Sequence, residues 1–559
     1  MKSFPVKDWY FARCRAKKEH ARKLSSRIVE QPIEQLESRR VRAVTIGFAG
    51  GILSLNNSDN SAVNEDVEFD TGTHLFEVNG SDVSGATVGA VKEITFNNTG
   101  SGASTVKINW SDDTHFSNVN VVLKIQGGGV NNFLGVGEYV GASTIQGGSG
   151  HDSLEAYNKS AVINGNGGND YVYAEYGHDT ITTGSGGDSI YAYSGNFKIS
   201  AGDGDNYVNV EYANASITTG NGNNDIDVEV GHFTVTTGIG NDTLDSEYGA
   251  NTVANLGGGD DSAYLYYGGS LNVNLGSGND TFYDDYGGKV TILGGSGDDS
   301  ISFEEGGKGI IDLGSGDDTF YTYEGTKTTV TGGDGDDYIY GEYYGTMTYN
   351  AGTGNDTVDV EYGGNLKMTS AGGSDSIYFY SGGDLNFTGG NGNDTVYAEY
   401  SGDINVVAGN GTDSFYAYYT ADVSFVTGTG ADTVYTDETG DVKVVAGNGD
   451  DSVYVDYGGN VNIHLGNGNN YVYAEEATSI NVLTGNGRDT IYAEYTTKAS
   501  INGGGGNDSL YAYEAVNLNM NGGLGNDTLY AEYGDVAHVT GGGGNDTISV
   551  YYYYTPYTP

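Results

Sequence analysis

The chain has 559 residues, among them 94 Gly and 47 Tyr but only 4 Pro and a single cysteine, Cys14. One cysteine excludes a disulfide framework and a Cys-based zinc site, and glycine this abundant without a three-residue period is not collagen. With 75 acids against 24 Lys and Arg, a formal charge of −51, the surface argues against nucleic acid as a partner and for cations.

Charge is uneven along the chain. Residues 1–43 hold 12 of the Lys and Arg and 5 of the acids, which leaves 12 cations against 70 acids beyond them. The segment LESRR at 36–40, leading into VRAVTI, resembles the N-terminal LE-x-R leader of exported planctomycete proteins, with Arg42 standing where that family has an apolar residue. The resemblance implies export and loss of roughly the first 43 residues, so 1–43 is expected to be a basic leader, disordered or removed. The chain has no 18-residue apolar run, so no transmembrane segment is expected.

Residues 44–146 alternate apolar and polar in short stretches, VTIGFAGGILSL, HLFEV, EITF, TVKINW and NVVLKI, punctuated by Gly, Asn and Ser. They predict irregular N-terminal β coils and a cap, because terminal repeats are usually atypical.

From 147 to 550 the chain repeats. An aspartate recurs every 18 residues at Asp152, Asp170 and Asp188, with Asn206 and Asn224 in the next two frames and Asp242 after them. From Asp261 the step is 19, through Asp280, Asp299, Asp318, Asp337, Asp356, Asp375, Asp394, Asp413, Asp432 and Asp451. Asn470 takes one turn, and Asp489, Asp508, Asp527 and Asp546 follow, giving 22 frames. A period near 20 with no helix signal predicts an all-β fold, a parallel β-roll or β-solenoid of about 22 coils. Such a fold grows by stacking coils, not by enlarging one core.

Each coil reads as two short strands. With the aspartate counted as zero, position +2 is apolar in all 22 frames, from Leu154 to Ile548, and position +12 is apolar in all 15 complete 19-residue coils, from Val273 to Val539. Strand side chains alternate faces, so these rows are the inward faces of two strands of four or five residues. The odd positions then face out: +3 is Tyr in 15 frames, and +5 is acidic in 14 and Tyr in the other 8. Two turns close the coil, a GxGxD stretch and a second turn that often reads Tyr-Gly-Gly, as at 286–288, 362–364 and 457–459. Glycine is expected to supply positive φ in both. Adjacent coils about 4.8 Å apart would make 22 coils a rod of roughly 100 Å. Residues 551–559 form a Tyr/Pro-rich C-terminal tail whose prolines discourage strand pairing.

Stacking brings carboxylates of successive turns together. Two such charges about 4.8 Å apart repel by roughly 0.9 kcal/mol in bulk water and about 3.5 kcal/mol at an effective dielectric of 20. A column of them needs a cation between coils. Carboxylate and carbonyl oxygens without His or Cys suit calcium, which takes six to eight oxygens, better than magnesium. The eight histidines are scattered and form no ligand pattern.

GGSGDDSIS at 294–302, GGDGDDYIY at 332–340, GGNGNDTVY at 389–397 and GGLGNDTLY at 522–530 resemble the GGxGxDxUx nonapeptide of RTX, or haemolysin-type, calcium-binding proteins. The resemblance implies a parallel β-roll in which turn carbonyls and the aspartates of two successive turns hold each ion, so that Asp375 pairs with Asp394 and Asp394 with Asp413. Asn206, Asn224 and Asn470 should mark weaker or vacant sites. Typical RTX coils carry two nonapeptides, one per edge. This chain has one, so calcium ions should line a single edge.

These features point to an extracellular or cell-surface calcium-binding structural solenoid that folds on Ca²⁺ and acts as a rigid spacer or adhesin, not an enzyme. Possible partners beyond calcium are extracellular polysaccharide or neighbouring cell-surface components, met by the outward Tyr/Glu face. Two alternatives stand beside it. One is a calcium-dependent ice- or polysaccharide-binding module, which the resemblance of AGTGNDTVDV at 351–360 to calcium-dependent ice-binding repeats suggests; too few threonines lie in register (Ser296, Ser315, Asp334, Thr353, Gly372, Asn391, Asn410, Thr429, Asn448) to favour ice. The other is the tail of an RTX-type enzyme, against which stand the lack of an HExxH motif and of an evident nucleophile–base set in 44–150.

Overall fold

The computed structural model describes residues 44–58, 61–70, 72–110, 113–126 and 131–552. The leader at 1–43 and most of the tail, 553–559, lie outside the described residues. Among those described are 51 strands, one 3₁₀ turn at Thr114–Phe116, and no helix long and apolar enough to cross a membrane.

The fold is a parallel β-solenoid, and its two ladders begin earlier than the strict repeat. The first six strands are β1 (Val44–Ala49), β2 (Ile52–Asn57), β3 (Val63–Asp70), β4 (Leu75–Val78), β5 (Ser81–Thr87) and β6 (Glu93–Asn98). Next come β7 (Ser104–Ile108), β8 (Asn120–Ile125), β9 (Phe133–Val136), β10 (Ala142–Gln146) and β11 (Ser153–Ala156). One ladder runs in parallel through β2, β6, β8 and β10, the other through β3, β7, β9 and β11. Later coils extend both ladders, as where Val396 pairs with Phe415 and Val406 with Phe425. At the start the pairing is antiparallel instead: β1 lies on β2, β4 on β3 and β5 on β4. These hairpins occupy the free edges of the first two parallel strands, edges that would otherwise present unpaired N–H and C=O groups.

The inward rows meet in a narrow core between the two ladders. Val396, Phe415, Val406 and Phe425 are all at most 1 % exposed, and the Phe415 and Phe425 rings stack with centroids 5.0 Å apart. The last coil departs from the expected pattern. Ile548 belongs to the inward row but is 45 % exposed, because its strand, Thr547–Tyr552, is the final one among the described residues and pairs on one side only.

Strand lengths also depart from four or five residues. Gly306–Ser315 and Gly325–Asp334 have 10 residues, and Ser509–Leu524 has 16 and crosses from one ladder to the other. There Glu514, Ala515 and Val516 stand in place of Tyr-Gly-Gly, and pairing continues around the corner with register shifts at Ala512/Ala515 and Ala515/Asn517.

The glycines divide their roles differently from the expectation. In the GxGxD turn, the glycine two before the acid does need positive φ. Gly392 sits at φ +148°, and a Cβ there would lie 1.7 Å from the Gly373 carbonyl oxygen one coil back. In the second turn it is the tyrosine that takes the left-handed conformation: Tyr286, Tyr362 and Tyr457 have φ of 58°, 51° and 50°. The glycines after them are needed for space, since a Cβ on Gly364 would fall 1.5 Å from the Gly345 carbonyl oxygen. At the second glycine of each pair, Gly288, Gly364 and Gly459, close stacking on the preceding turn, not backbone chirality, excludes a side chain.

Candidate metal centre

The GxGxD turns place the aspartates in one continuous column inside the edge of the solenoid. From Asp152 to Asp527 every column residue, asparagines included, is at most 2 % exposed, while Asp546 in the last turn is half-buried. One carboxylate oxygen of each has a fixed partner. The backbone N–H of a column residue donates to Oδ1 of the residue one coil further on: Asp375 to Asp394 at 3.1 Å, Asp394 to Asp413 at 2.9 Å and Asp413 to Asp432 at 3.0 Å. This chain of bonds is unbroken from Asp152 to Asp546, at 2.7 to 3.3 Å.

The other oxygen is different. Oδ2 is buried and makes no hydrogen bond in Asp170, Asp188, Asp242, Asp261, Asp280, Asp299, Asp318, Asp356, Asp375, Asp394, Asp413, Asp432, Asp451, Asp489, Asp508 and Asp527. These are 16 of the 19 aspartates that the repeat singles out. The other three differ for visible reasons. Asp152 Oδ2 accepts from the Gly148 N–H at 2.6 Å, Asp337 Oδ2 accepts from the Tyr349 hydroxyl at 3.4 Å, and Asp546, in the last turn among the described residues, is only half-buried. Buried polar atoms in folded proteins are almost always partnered, so sixteen orphaned oxygens in one row call for a common partner.

The asparagine turns identify the atoms around that position. Asn206 Nδ2 donates to the carbonyls of Gly202 at 3.1 Å and Gly204 at 2.9 Å and to Asn224 Oδ1 at 2.9 Å. Asn224 Nδ2 bonds the carbonyls of Gly220 at 3.3 Å and Gly222 at 2.9 Å and Asp242 Oδ1 at 2.8 Å. Asn470 Nδ2 reaches the carbonyls of Gly466 and Gly468 at 3.3 and 3.4 Å. Two carbonyls, four and two residues before the column residue, thus converge where an aspartate puts Oδ2, and the next coil's Oδ1 joins them in two of the three. An all-oxygen set with a carboxylate and no hydrogen donor fits a hard divalent cation of calcium's type.

Burial, with neighbouring column charges adding to it, pushes the carboxyl of Asp261 up to about 8 and those of Asp170, Asp299, Asp356, Asp394 and Asp508 to about 7. Asp280, Asp318, Asp413 and Asp451 are pushed to about 6. Burial also raises the carboxyls of Asp188, Asp242, Asp375 and Asp489.

Several features escaped the sequence reading. The column starts one coil earlier, at Asn132, whose N–H donates to Asp152 Oδ1 at 2.9 Å. A second, exposed row runs beside it at the residue before each acid, bonding in the opposite direction: Asp317 N–H donates to Asp298 Oδ1 at 3.0 Å and Asp336 N–H to Asp317 Oδ1 at 2.9 Å. Asn or Asp fills that place in most frames, a signal visible in the repeat. The far edge also carries acids in register, where Asp403 N–H donates to Asp384 Oδ1 and Asp422 N–H to Asp403 Oδ1, both at 3.2 Å. These are solvent-facing and lack the buried orphan oxygen of the column. Two triads of carboxylates, Asp70/Glu77/Asp82 and Asp225/Asp227/Asp245, bring oxygens within 4.8 Å of one another outside it. One feature the repeat did lead us to expect is also present: the outward tyrosines stack coil on coil as ladders, with Tyr321 and Tyr340 5.2 Å apart and Tyr492 and Tyr511 4.6 Å apart.

Segments 140–158, 160–190, 328–342, 386–404, 500–515, 519–535 and 538–550 match the family described as RTX calcium-binding nonapeptide repeat (4 copies). Each contains at least one column aspartate, and none contains Asn206, Asn224 or Asn470. No curated protein matches the chain.

Proposed function

We propose that this chain, which carries RTX calcium-binding repeats on a parallel β-solenoid, is an extracellular structural protein that folds on Ca²⁺ and serves as a rigid surface spacer or adhesin. The observation that carries the reading is the row of sixteen buried Oδ2 atoms without a hydrogen bond. Calcium, when bound, supplies the positive charge that the turn lacks. The column carboxylates and the turn carbonyls would hold it, and the backbone N–H groups orient the carboxylates by fixing Oδ1. Because the site joins residues of successive coils, binding free energy is folding free energy. An affinity of about 10⁻⁴ to 10⁻³ M, usual for extracellular modules, would keep the chain unfolded until export and fold it outside.

A second reading, contact with extracellular polysaccharide, draws on the far edge. There Tyr400 and Tyr419 are 50 % and 42 % exposed and stack with centroids 4.9 Å apart, an aromatic strip of the kind that packs against sugar rings. Non-glycine residues with positive φ are strained and need surrounding support, and Tyr400 and Tyr419 adopt φ of 52° and 53°.

The spacer reading is tested by small-angle X-ray scattering. In millimolar calcium the solenoid should scatter as a stiff rod of about 100 Å for 22 coils. In chelator the same chain should give the expanded profile of a flexible polymer. Identical profiles in the two buffers would remove the proposal.

A further inference from the structure

The three asparagine turns do more than lack a carboxylate. Asp and Asn have the same shape, and the exchange swaps one charged oxygen for an NH₂ group. In the column Oδ1 keeps its partner: Asp451 N–H donates to Asn470 Oδ1 at 3.1 Å, as Asp375 N–H does to Asp394 Oδ1. The NH₂ then donates to the two turn carbonyls that otherwise face a carboxylate. Asn206 and Asn224 do this in adjacent coils, each also bonding the next coil's Oδ1. An aspartate turn has acceptors alone and leaves a buried oxygen without a donor, whereas an asparagine turn is complete in itself.

We propose that Asn206, Asn224 and Asn470 are built-in substitutes for the ion, closing their turns by hydrogen bonding and dividing the column into three calcium-binding blocks. The blocks of orphaned Oδ2 atoms run from Asp170 to Asp188, from Asp242 to Asp451 and from Asp489 to Asp527. The inference rests on the calcium reading above and deepens it. It assigns which turns of this chain carry no ion yet stay closed, and it makes the interruptions part of the design instead of decayed sites. Each break keeps the backbone bonds between coils while removing a charge from a buried row, so the solenoid continues through it without metal.

The test uses the full chain and four variants, with bound calcium counted by calorimetry and thermal melting followed in calcium. Asn470→Asp should bind one ion more than the wild type, and the triple variant N206D/N224D/N470D three more. Both should need a higher calcium concentration for half-folding. Asp394→Asn should bind one ion fewer and still melt close to the wild type, because the amide closes the turn. Asp394→Ala should also lose one ion, but melt well below Asp394→Asn, because its turn carbonyls are left without a donor. An unchanged ion count in Asn470→Asp, with a wild type that titrates normally, would overturn the substitution idea alone. So would equal melting of Asp394→Asn and Asp394→Ala. A wild type that bound no calcium would overturn this inference together with the functional reading beneath it.

Discussion

Dialysed against a strong chelator at neutral pH, the chain should lose most of its far-ultraviolet β signal and regain it when calcium is restored. Each aspartate turn without a cation holds a buried carboxylate whose Oδ2 has no hydrogen bond. Leaving a buried charge without its partner costs about 3–5 kcal/mol, and folded domains are stable by about 5–15 kcal/mol in all. A handful of uncompensated turns therefore exceeds the net stability of a folded domain, and there are sixteen. Nor can the loss stay local. A solenoid coil contacts only its neighbours and derives its stability from them, and the inward side chains of one coil, such as Val396 and Val406, are covered by Phe415 and Phe425 of the next. Circular dichroism through a calcium titration reads the effect directly: a steep rise in β content, centred near 10⁻⁴ to 10⁻³ M. A spectrum indifferent to chelator would contradict it.

Acid should replace calcium. The folded-state carboxyls of the column lie at about 6 to 8, as in Asp413, Asp394 and Asp261, above the ordinary aspartate value of about 3.9. Their folded values are raised, so between those limits the calcium-free fold binds more protons than the unfolded chain. Its stability must then fall as pH rises. The stabilisation is complete below the unfolded value and is lost as pH climbs through the range 6 to 8. The chemistry is that of the asparagine turns: a protonated carboxyl has an O–H to give to the turn carbonyls, as Asn206 gives its NH₂ to Gly202 and Gly204. Calcium-free protein should thus keep its β signal near pH 5 and melt between about pH 6 and 8, whereas calcium-loaded protein should stay folded throughout that window. Calcium affinity should weaken in acid, since proton and ion compete for Oδ2. A pH titration of β content in metal-free buffer checks this, and a flat trace, or better folding at high pH, would contradict it.

The solenoid was legible in the sequence because stacking forces a period on every residue with a fixed role. Val396, Phe415 and Val434 recur at 19 because each must fill the same inward place, and Asp394, Asp413 and Asp432 because each occupies the same turn. What recurrence cannot reveal is which atom does the work. The Tyr-Gly-Gly turn reads as a glycine turn, yet Tyr362 takes the left-handed conformation and Gly364 serves to let Gly345 approach. The column reads as carboxylates facing one another, yet each gives Oδ1 to a backbone N–H of the coil before it, and Oδ2 is the oxygen that most of them leave without a hydrogen bond. Asn470 reads as a gap in the pattern, and only the position of its amide shows that the turn is closed. The N-terminal strands were the least legible: β1, β4 and β5 pair antiparallel, and no repeat announces a strand whose job is to stop the stacking.

Everything above turns on a divalent cation seated against Oδ2 in the aspartate turns. Long-wavelength X-ray diffraction from calcium-loaded crystals tests it most directly. Anomalous peaks are expected beside Oδ2 of Asp375, Asp394 and Asp413, repeating along one edge coil by coil. A column refined in millimolar calcium with no such peaks, its carboxylates bonded only to water or protein, would contradict it.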